Sequence, residues 1–416
     1  MVRELERERQ QQDFPETAPA ANPVFFRTYS RRTEQGRESW SEVCDRTTQG
    51  FTKLGRLSDS EAALLRRMMS QLKSLPSGRW LWVGGTDWIE KPENFSGAYN
   101  CTSTNASDWR AFGLMMDLAM MGCGTGAVLE PKYINQLPSI RNQLCVSVEG
   151  EIGSTPVTER REQTEVRIGS EAGQSLGNQV QIHVGDSRQG WVKSYQTLLE
   201  LSTDERFCDE VKVSIDLSDV RAAGEPLKGF GGVANPVKLP ELYQCCASIL
   251  NKAVGRKLNS VECCLLIDEA AVTIVAGNIR RSAGMRQFDS DDKLGANAKD
   301  NLWQQDENGN WRIDPERDAL RMANHTRVFH QKPSEQECIE AVRKQYYSGE
   351  GAIQWAGEAV ARANCELLPT QELKKDFLKA YEQGTAKQWL QEHYPNIDSD
   401  ELEHRLARVG LNPCGK

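Results

Sequence analysis

Hydrophobic and polar residues follow two different periods along this chain, and these periods predict both helices and strands. Apolar residues recur at helical spacing in residues 58–72 and 108–121, with Ser58 or Asp59 as the expected N-cap of the first. Residues 211–217 alternate every second position, as in a half-buried strand. The same patterns predict helices over 40–51, 239–258, 259–275 and 371–408, and β-structure over 99–104 and 147–181. We therefore expect a mixed α/β fold.

Composition and charge restrict the possible functions. The 416 residues are 38% hydrophobic, which allows a sizeable core under a polar surface. The net charge is −8 and no long Lys/Arg run occurs, so we expect no nucleic-acid partner. There is no secretory signal and no apolar stretch that could span a membrane. Twelve scattered cysteines then indicate a cytoplasmic protein with reduced thiols.

Vicinal cysteines occur twice, as Cys245-Cys246 and Cys263-Cys264. Zinc sites prefer Cys-x-x-Cys spacing, and adjacent helical residues point about 100° apart. Zinc ligands and small buried hydrophobes are both possible, and the spacing favours the second interpretation. The histidines lie in no local signature of a cysteine protease, which favours surface or polar-network positions for His183, His325, His330, His393 and His404.

A glycine-rich run, Gly122-Cys-Gly-Thr-Gly126, follows the helix predicted over 108–121. It lacks the Lys-Ser/Thr of a P-loop, so a phosphate cradle competes with a loop where two backbones pass closely. Residues 289–315 are polar and predict a long surface loop or a hairpin.

Three motifs carry most of the chemical information. They are Tyr99-Asn100-Cys101-Thr102, the Gly277-Asn-Ile-Arg-Arg-Ser-Ala283 segment and Leu411-Asn-Pro-Cys-Gly415. The last is a turn by composition, because Pro413 fixes φ and Gly415 adds freedom. With residues 27–31, 185–191, 216–221 and 228–232, in this order, the motifs resemble those of the monomeric adenosylcobalamin-dependent (class II) ribonucleoside-triphosphate reductases.

The resemblance implies an α/β fold, namely the N-terminal part of the ten-stranded α/β barrel of ribonucleotide reductases. It implies a helical N-terminal region and an effector-binding insertion. The expected organisation is a disordered or loosely docked tail at 1–24, a helical region at 25–76, and the first part of the barrel at 77–416, with the insertion at about 129–235.

The resemblance also implies roles for individual residues in the reduction of ribonucleoside triphosphates. Cys414 corresponds to the cysteine that becomes a thiyl radical and abstracts the ribose 3′-hydrogen. Cys101 corresponds to one of two redox cysteines that become a disulfide. Asn412 corresponds to a residue that hydrogen-bonds the ribose hydroxyls, as a carboxamide can, and Asn100 is expected at the substrate beside Cys101.

Regulation and partners follow from the same resemblance. Asp186 and Ser187 match a segment that contacts the sugar of a deoxynucleoside triphosphate effector, to which a carboxylate is a good acceptor. Arg280 and Arg281 match the loop that relays effector identity to the substrate, although alone they would equally suit a solvated basic turn. The expected cofactor is adenosylcobalamin, and the expected reductant is a thioredoxin-like protein or another dithiol.

Two departures from the family pattern concern the end of the sequence. The family has a glutamate where this sequence has Lys416, and an ammonium group cannot accept a proton. The second redox cysteine and the cobalamin-binding segments of the family would follow Cys414. The resulting expectation is a truncated or split N-terminal fragment, inactive alone and completed by a separate C-terminal fragment. The alternatives are a nucleotide-binding regulatory fragment without catalytic activity and a non-functional remnant.

Overall fold

The computed structural model describes residues 14–15, 17–33, 36–169, 177–225, 236–274 and 283–413. Backbone contacts group the chain into two compact units, the first largely of residues up to Asn100 and the second from Cys101 onward. No helix within the described ranges is long and apolar enough to cross a membrane. The eleven cysteines in those ranges are all free thiols.

The first unit is mainly helical. Ser39 and Glu42 form a capping box at the start of the second helix, and Ser58 and Glu61 form another at the start of the third, so Ser58 is the N-cap. The unit contains α1 (Ala21–Val24), a π-helix (Phe25–Tyr29), β1 (Arg32–Thr33), β2 (Gly36–Arg37), α2 (Trp40–Gly55), α3 (Asp59–Ser70), α4 (Gly78–Val83), α5 (Asp87–Glu90) and a 3₁₀ helix (Pro92–Ala98).

The second unit combines two larger sheets with helices. Its strands are β3 (Cys101–Asn105), β4 (Gly124–Val128), β5 (Gln143–Glu149), β6 (Glu165–Ile168), β7 (Gln179–His183), β8 (Glu210–Asp216), β9 (Gly284–Asp289), β10 (Trp303–Gln305), β11 (Trp311–Ile313), β12 (Ala323–Phe329) and β13 (Ala352–Trp355). Its helices are α6 (Trp109–Met120), α7 (Pro131–Ile134), α8 (Arg188–Leu201), α9 (Leu239–Asn251), α10 (Ser260–Ile274), α11 (Lys293–Asn297), α12 (Glu335–Ser348), α13 (Ala356–Ala363), α14 (Gln371–Glu382), α15 (Ala386–His393) and α16 (Ser399–Leu406). Two 3₁₀ helices, Pro236–Lys238 and Asp318–Met322, complete it.

The larger sheet has five strands in the order β13-β12-β9-β4-β3, and every neighbouring pair is parallel. Side chains alternate between the two faces of a strand. One face is apolar at Ala127 and Phe288, which belong to the main core with residues of α6 and α10. We call the opposite face the polar face, and it carries Cys101, Ser103, Gly124, Gly126, Gln287 and Gln354.

The smaller sheet has the order β5-β8-β7-β6, with β6 antiparallel to its neighbour and the other pairs parallel. Along β8, Val211, Val213 and Ile215 are buried in the main core, whereas the intervening residues are exposed or half-buried. The alternation predicted over 211–217 is therefore a strand with one solvent-facing side.

The remaining predictions differ from the structure in detail. The polar stretch 289–315 contains α11 and the β10–β11 hairpin, and the helical stretch 371–408 is three helices, α14 to α16. The glycine-rich run is not a loop throughout, because Gly124 begins the buried strand β4. The α/β class is confirmed, but the five-stranded sheet does not close into a barrel within the described residues.

Candidate active site

The segment that precedes Cys414 lies across the polar face of the five-stranded sheet. The backbone N–H of Leu411 donates to Oε1 of Gln287 at 2.8 Å, and Nε2 of Gln354 donates to the carbonyl oxygen of Val409 at 2.6 Å. Nε2 of Gln287 in turn donates to Oε1 of Gln354 at 2.5 Å. Two buried glutamines on β9 and β13 therefore fix the segment to the sheet, since buried polar groups are costly unless paired.

Two glycines of β4 allow this close approach. A Cβ at Gly126 would lie 3.3 Å from the carbonyl carbon of Leu411 and closer still to its oxygen. A Cβ at Gly124 would lie 3.2 Å from Cγ of Pro413. Of the two interpretations of the run that ends at Gly126, the structure therefore supports a place where two backbones pass closely, and not a phosphate cradle. The strand β4 that contains Gly124 and Gly126 is buried throughout.

Cys101 borders the same space. It begins β3, directly opposite Gly124 in the parallel pair, and its side chain is half-buried. A Cβ at Gly124 would lie 3.0 Å from Sγ of Cys101, so this sulfur and the ring of Pro413 flank one point of the sheet. The structure therefore brings the predicted redox cysteine close to the residue that precedes Cys414, which itself lies outside the described residues.

The other predicted substrate residues are less informative. Asn412 belongs to the segment on the polar face and is half-buried. Asn100 belongs to the first unit, where its side-chain oxygen accepts a hydrogen bond from Nε of Arg79 at 3.1 Å. Their roles toward a substrate stay predictions.

The predicted effector residues are engaged in protein contacts. Asp186 accepts hydrogen bonds on Oδ1 from the backbone N–H of Arg221 at 3.0 Å and from its Nε at 2.7 Å. Ser187 is the N-cap of α8 and accepts from the backbone N–H of Gly190 at 2.9 Å. An effector sugar would have to share Asp186 with Arg221. Arg280 and Arg281 lie outside the described residues, so the structure does not bear on that loop.

One vicinal cysteine belongs to a buried polar cluster on the helix-covered side of the same sheet. Sγ of Cys264 lies 3.2 Å from Oδ2 of Asp268 and 3.7 Å from Nε2 of His325. These three groups could together contact a metal ion. However, the carboxylate of Asp268 already pairs with the fully buried guanidinium of Arg286 at 2.7 Å, whose charge would oppose a cation. Burial also raises the pKa of the Cys264 thiol well above its usual value, so we interpret the cluster as structural.

A second titratable group lies where β4 and β12 end, and sequence reasoning did not single it out. Oε1 of Glu130 accepts from Nε2 of His330 at 2.9 Å, and Nδ1 of His330 lies 3.2 Å from the hydroxyl of Tyr381. Burial alone would raise the pKa of Glu130, but hydrogen bonds from His330 and Lys132 outweigh it and lower the pKa. His330 was expected at the surface or in a polar network, and it lies in a polar network. The remaining local signal, an acid directly after a buried strand, is too common to identify a site.

Comparison with known proteins adds independent information. Residues 162–250 match the family described as the insertion domain of B12-dependent ribonucleotide reductase. The adenosylcobalamin-dependent ribonucleoside-triphosphate reductase of Lactobacillus helveticus is 28% identical over 313 residues, covering 65% of this chain and 41% of that protein. A probable enzyme of the same name from Dictyostelium discoideum is 25% identical over 375 residues, covering 85% of this chain and 44% of that protein.

A crystal structure of a B12-dependent (class II) ribonucleotide reductase shares the fold. Its TM-score with this chain is 0.60 at 20% identity, and the match covers 78% of this chain and 47% of that one. In its α/β fold, and in the match of residues 162–250, the chain is similar to ribonucleotide reductases. Among such proteins, the chain is related to the adenosylcobalamin-dependent, class II enzymes. It spans about two fifths of the length of the curated relatives it matches, 41% for the Lactobacillus helveticus protein.

Proposed function

We propose that this chain carries thiol groups of a class II ribonucleotide reductase, which converts ribonucleoside triphosphates to 2′-deoxyribonucleoside triphosphates for DNA synthesis. The observation that carries the proposal is the segment 409–413, which lies across the polar face with Pro413 beside Sγ of Cys101. This arrangement supports the proposal that Cys414, which directly follows Pro413 in the chain, acts close to the thiol of Cys101. Such fixed positioning is the main protein contribution to a radical reaction.

Each thiol has a distinct task in the proposed reaction. A thiyl radical at Cys414 abstracts the 3′-hydrogen of the ribose and later returns a hydrogen atom to the same carbon. The 2′-hydroxyl leaves as water when its C–O bond breaks. Cys101 and a second thiol supply two electrons and two protons and become a disulfide. A dithiol reductant then restores both thiols by exchange.

Adenosylcobalamin would supply the radical that oxidises Cys414 when it is bound. The half-buried thiol of Cys101 is the electron donor on the protein side of this chemistry, and the amide of Gln287 holds the neighbouring segment on the sheet.

We further propose that the smaller sheet and α8 contribute to binding of a deoxynucleotide effector. The match of residues 162–250 to the insertion domain supports this placement. Asp186 is the expected acceptor for a sugar hydroxyl, and Arg160 and Arg221 beside it offer positive charge. The barrel architecture expected from the family is part of the same proposal, with the five-stranded sheet as one half.

A thiol-bridging experiment tests the site directly. Dibromobimane links two cysteines only when they are close, and proteolysis with mass spectrometry identifies the bridged peptides. We expect a bridge between Cys101 and Cys414 in the folded protein. It should disappear in Cys101→Ser and Cys414→Ser and persist in Cys145→Ser, which removes an exposed thiol of β5. Single labelling of Cys101 and Cys414 without a bridge would contradict the proposed site.

Activity is tested separately, with the intact protein. Deoxynucleotide formation from a ribonucleoside triphosphate, with adenosylcobalamin and dithiothreitol, should be abolished by Cys414→Ser and retained by Cys145→Ser. A Cys414→Ser protein with unchanged turnover would refute the proposed function.

A further inference from the structure

A cavity of about 210 Å³ lies on the helix-covered side of β12, away from the polar face. It is formed where β12 meets α12 and the region from α11 to the β10–β11 hairpin. His325 and Arg327 line it from β12, and Lys299, Trp303, Arg321 and Lys344 line it from the other elements. None of the predicted site residues contributes to it, so it is separate from the proposed reaction.

The lining of the cavity is rich in cations. Four basic side chains face two acidic ones, Asp300 and Glu350, in a protein whose net charge is −8. The acids are already occupied, because Nζ of Lys299 lies 2.6 Å from Glu350 and Nζ of Lys344 lies 3.0 Å from Asp300. The positive charges of the other two basic residues, Arg321 and Arg327, are therefore not neutralised by an acid of the cavity lining.

These two arginines differ in their surroundings. Arg321 pairs with Asp318 at 2.9 Å, outside the lining of the cavity. Arg327 is half-buried, and within the described part of the chain its side chain makes no hydrogen bond and no salt bridge, acting only at longer range on Glu337. Its guanidinium nitrogens are not among the buried polar atoms that lack a partner, so they are open to solvent and their five N–H donors are available to an added ligand. Arg327 is thus the group best placed to bind an added anion.

His325 reports the same electrostatic environment. Burial lowers its pKa well below the usual value, and the charges of Lys299, Arg286 and Lys344 lower it further. A positive field that disfavours protonation of an imidazole favours a bound anion. His325 can then stay neutral at the inner end of the cavity, in contact with Cys264 and the ring of Phe288.

We propose that this cavity binds a small phosphate-bearing molecule, with Arg327 as the principal ligand and Arg321 as a second. Its volume is smaller than the several hundred Å³ of most pockets for whole cofactors, but it is sufficient for a phosphoryl group. Trp303 stands at the lining and is 54% exposed, so the base of a nucleoside phosphate could stack on its indole. Free phosphate and the phosphate of a nucleotide are the two sources of this chemistry.

Lysine footprinting in the intact protein tests the proposal and locates the ligand. Acylation of Lys344, followed by mass spectrometry, is measured with and without inorganic phosphate, pyrophosphate, AMP or ATP. We expect bound phosphate to slow acylation of Lys344 and leave Lys375, exposed on α14, unchanged. Protection by nucleotides at much lower concentration than by phosphate, and lost in Trp303→Ala, would identify a nucleotide as the ligand. Equal protection by all four probes would identify the phosphoryl group alone.

Substitutions distinguish specific binding by Arg327 from a nonspecific effect of the protein's charge. Arg327→Gln should weaken the protective ligand about tenfold to a hundredfold, as expected for loss of a charged hydrogen-bond donor, and Arg327→Lys should retain part of the affinity. Arg343→Gln removes the same charge from the exposed side of α12 and should have no effect. Circular dichroism verifies that each variant is folded. Absence of protection by any probe, or equal loss in Arg327→Gln and Arg343→Gln, would overturn the proposal.

Discussion

Replacement of Gly126 by alanine is the most direct test of how the segment 409–413 is held. The added methyl group would enter the space now occupied by the carbonyl group of Leu411, whose carbon lies 3.3 Å from the ideal Cβ position. Because β4 is a central strand of the sheet, it cannot move away without disturbing β3 and β9. The segment must therefore be displaced from the sheet.

The expected cost follows from these contacts. Overpacking of a buried position typically costs about 1–3 kcal/mol. Displacement of Leu411 also breaks its hydrogen bond to Gln287, which is worth about 1 kcal/mol and leaves a buried amide unsatisfied. We expect a total loss of about 2–4 kcal/mol in the free energy that holds the segment on the sheet. Gly55→Ala is the control, because its Cβ would meet only the side chain of Leu57, at 3.4 Å.

Two measurements read out this displacement. Hydrogen exchange should show faster exchange at the Leu411 amide in Gly126→Ala, by the factor that corresponds to the lost free energy, roughly 30-fold to 1,000-fold. The thiol of Cys101 should react faster with iodoacetamide, because the ring of Pro413 no longer lies near it. Unchanged exchange at Leu411 in a folded Gly126→Ala protein would refute the close approach, whatever happens to global stability.

Two further predictions concern buried charges. Burial, together with Asp268, Asp318 and Glu241, raises the pKa of Glu269 from 4.5 to about 7; because the folded state then holds the proton more tightly than the unfolded state, stability should fall as pH rises from about 4.5 to about 7. Urea titrations should show that the fall in unfolding free energy with pH is smaller in Glu269→Gln than in the wild type, and unchanged in Glu340→Gln. The same pH dependence in Glu269→Gln as in the wild type would contradict the prediction. Asp268→Asn should cost about 3–5 kcal/mol because it leaves the buried charge of Arg286 uncompensated, and the double variant Asp268→Asn/Arg286→Met should lose less than the single one; a larger loss in the double variant would show that the pair is not the cause.

Local sequence signals predicted α3 and α6 but not α8 or α12, and the structure shows the reason for the two successes. Ser58 and Asp108 each accept a hydrogen bond from the backbone three residues later, and these residues mark the helix starts that the sequence predicted. Helix starts are encoded within one turn of chain, so the pattern of a few residues is sufficient. The parallel strands are encoded less locally, since their partners are distant in sequence.

The glycine-rich strand and the glutamines show where sequence reasoning fails. Gly124 and Gly126 are typical of a loop by composition, and only the segment 409–413 on top of them explains why β4 has no side chains there. Gln287 and Gln354 are buried although they are polar, and their amides hydrogen-bond to each other. The two residues are 67 positions apart in the sequence. No local pattern distinguishes such glutamines from exposed ones. The motif Leu411-Asn-Pro-Cys-Gly415 was informative through family resemblance, whereas its position on the sheet required the structure.

The polar face and the segment on it specify each other's register. A parallel sheet is normally covered on both faces, and here the cover of the polar face includes the segment 409–413, whose backbone groups pair with Gln287 and Gln354. A slip of two residues would place Pro413, which has no N–H to donate, opposite Gln287. The observed register is therefore the one that satisfies the buried amides, and it is also the one that places Pro413 over Gly124 beside Cys101.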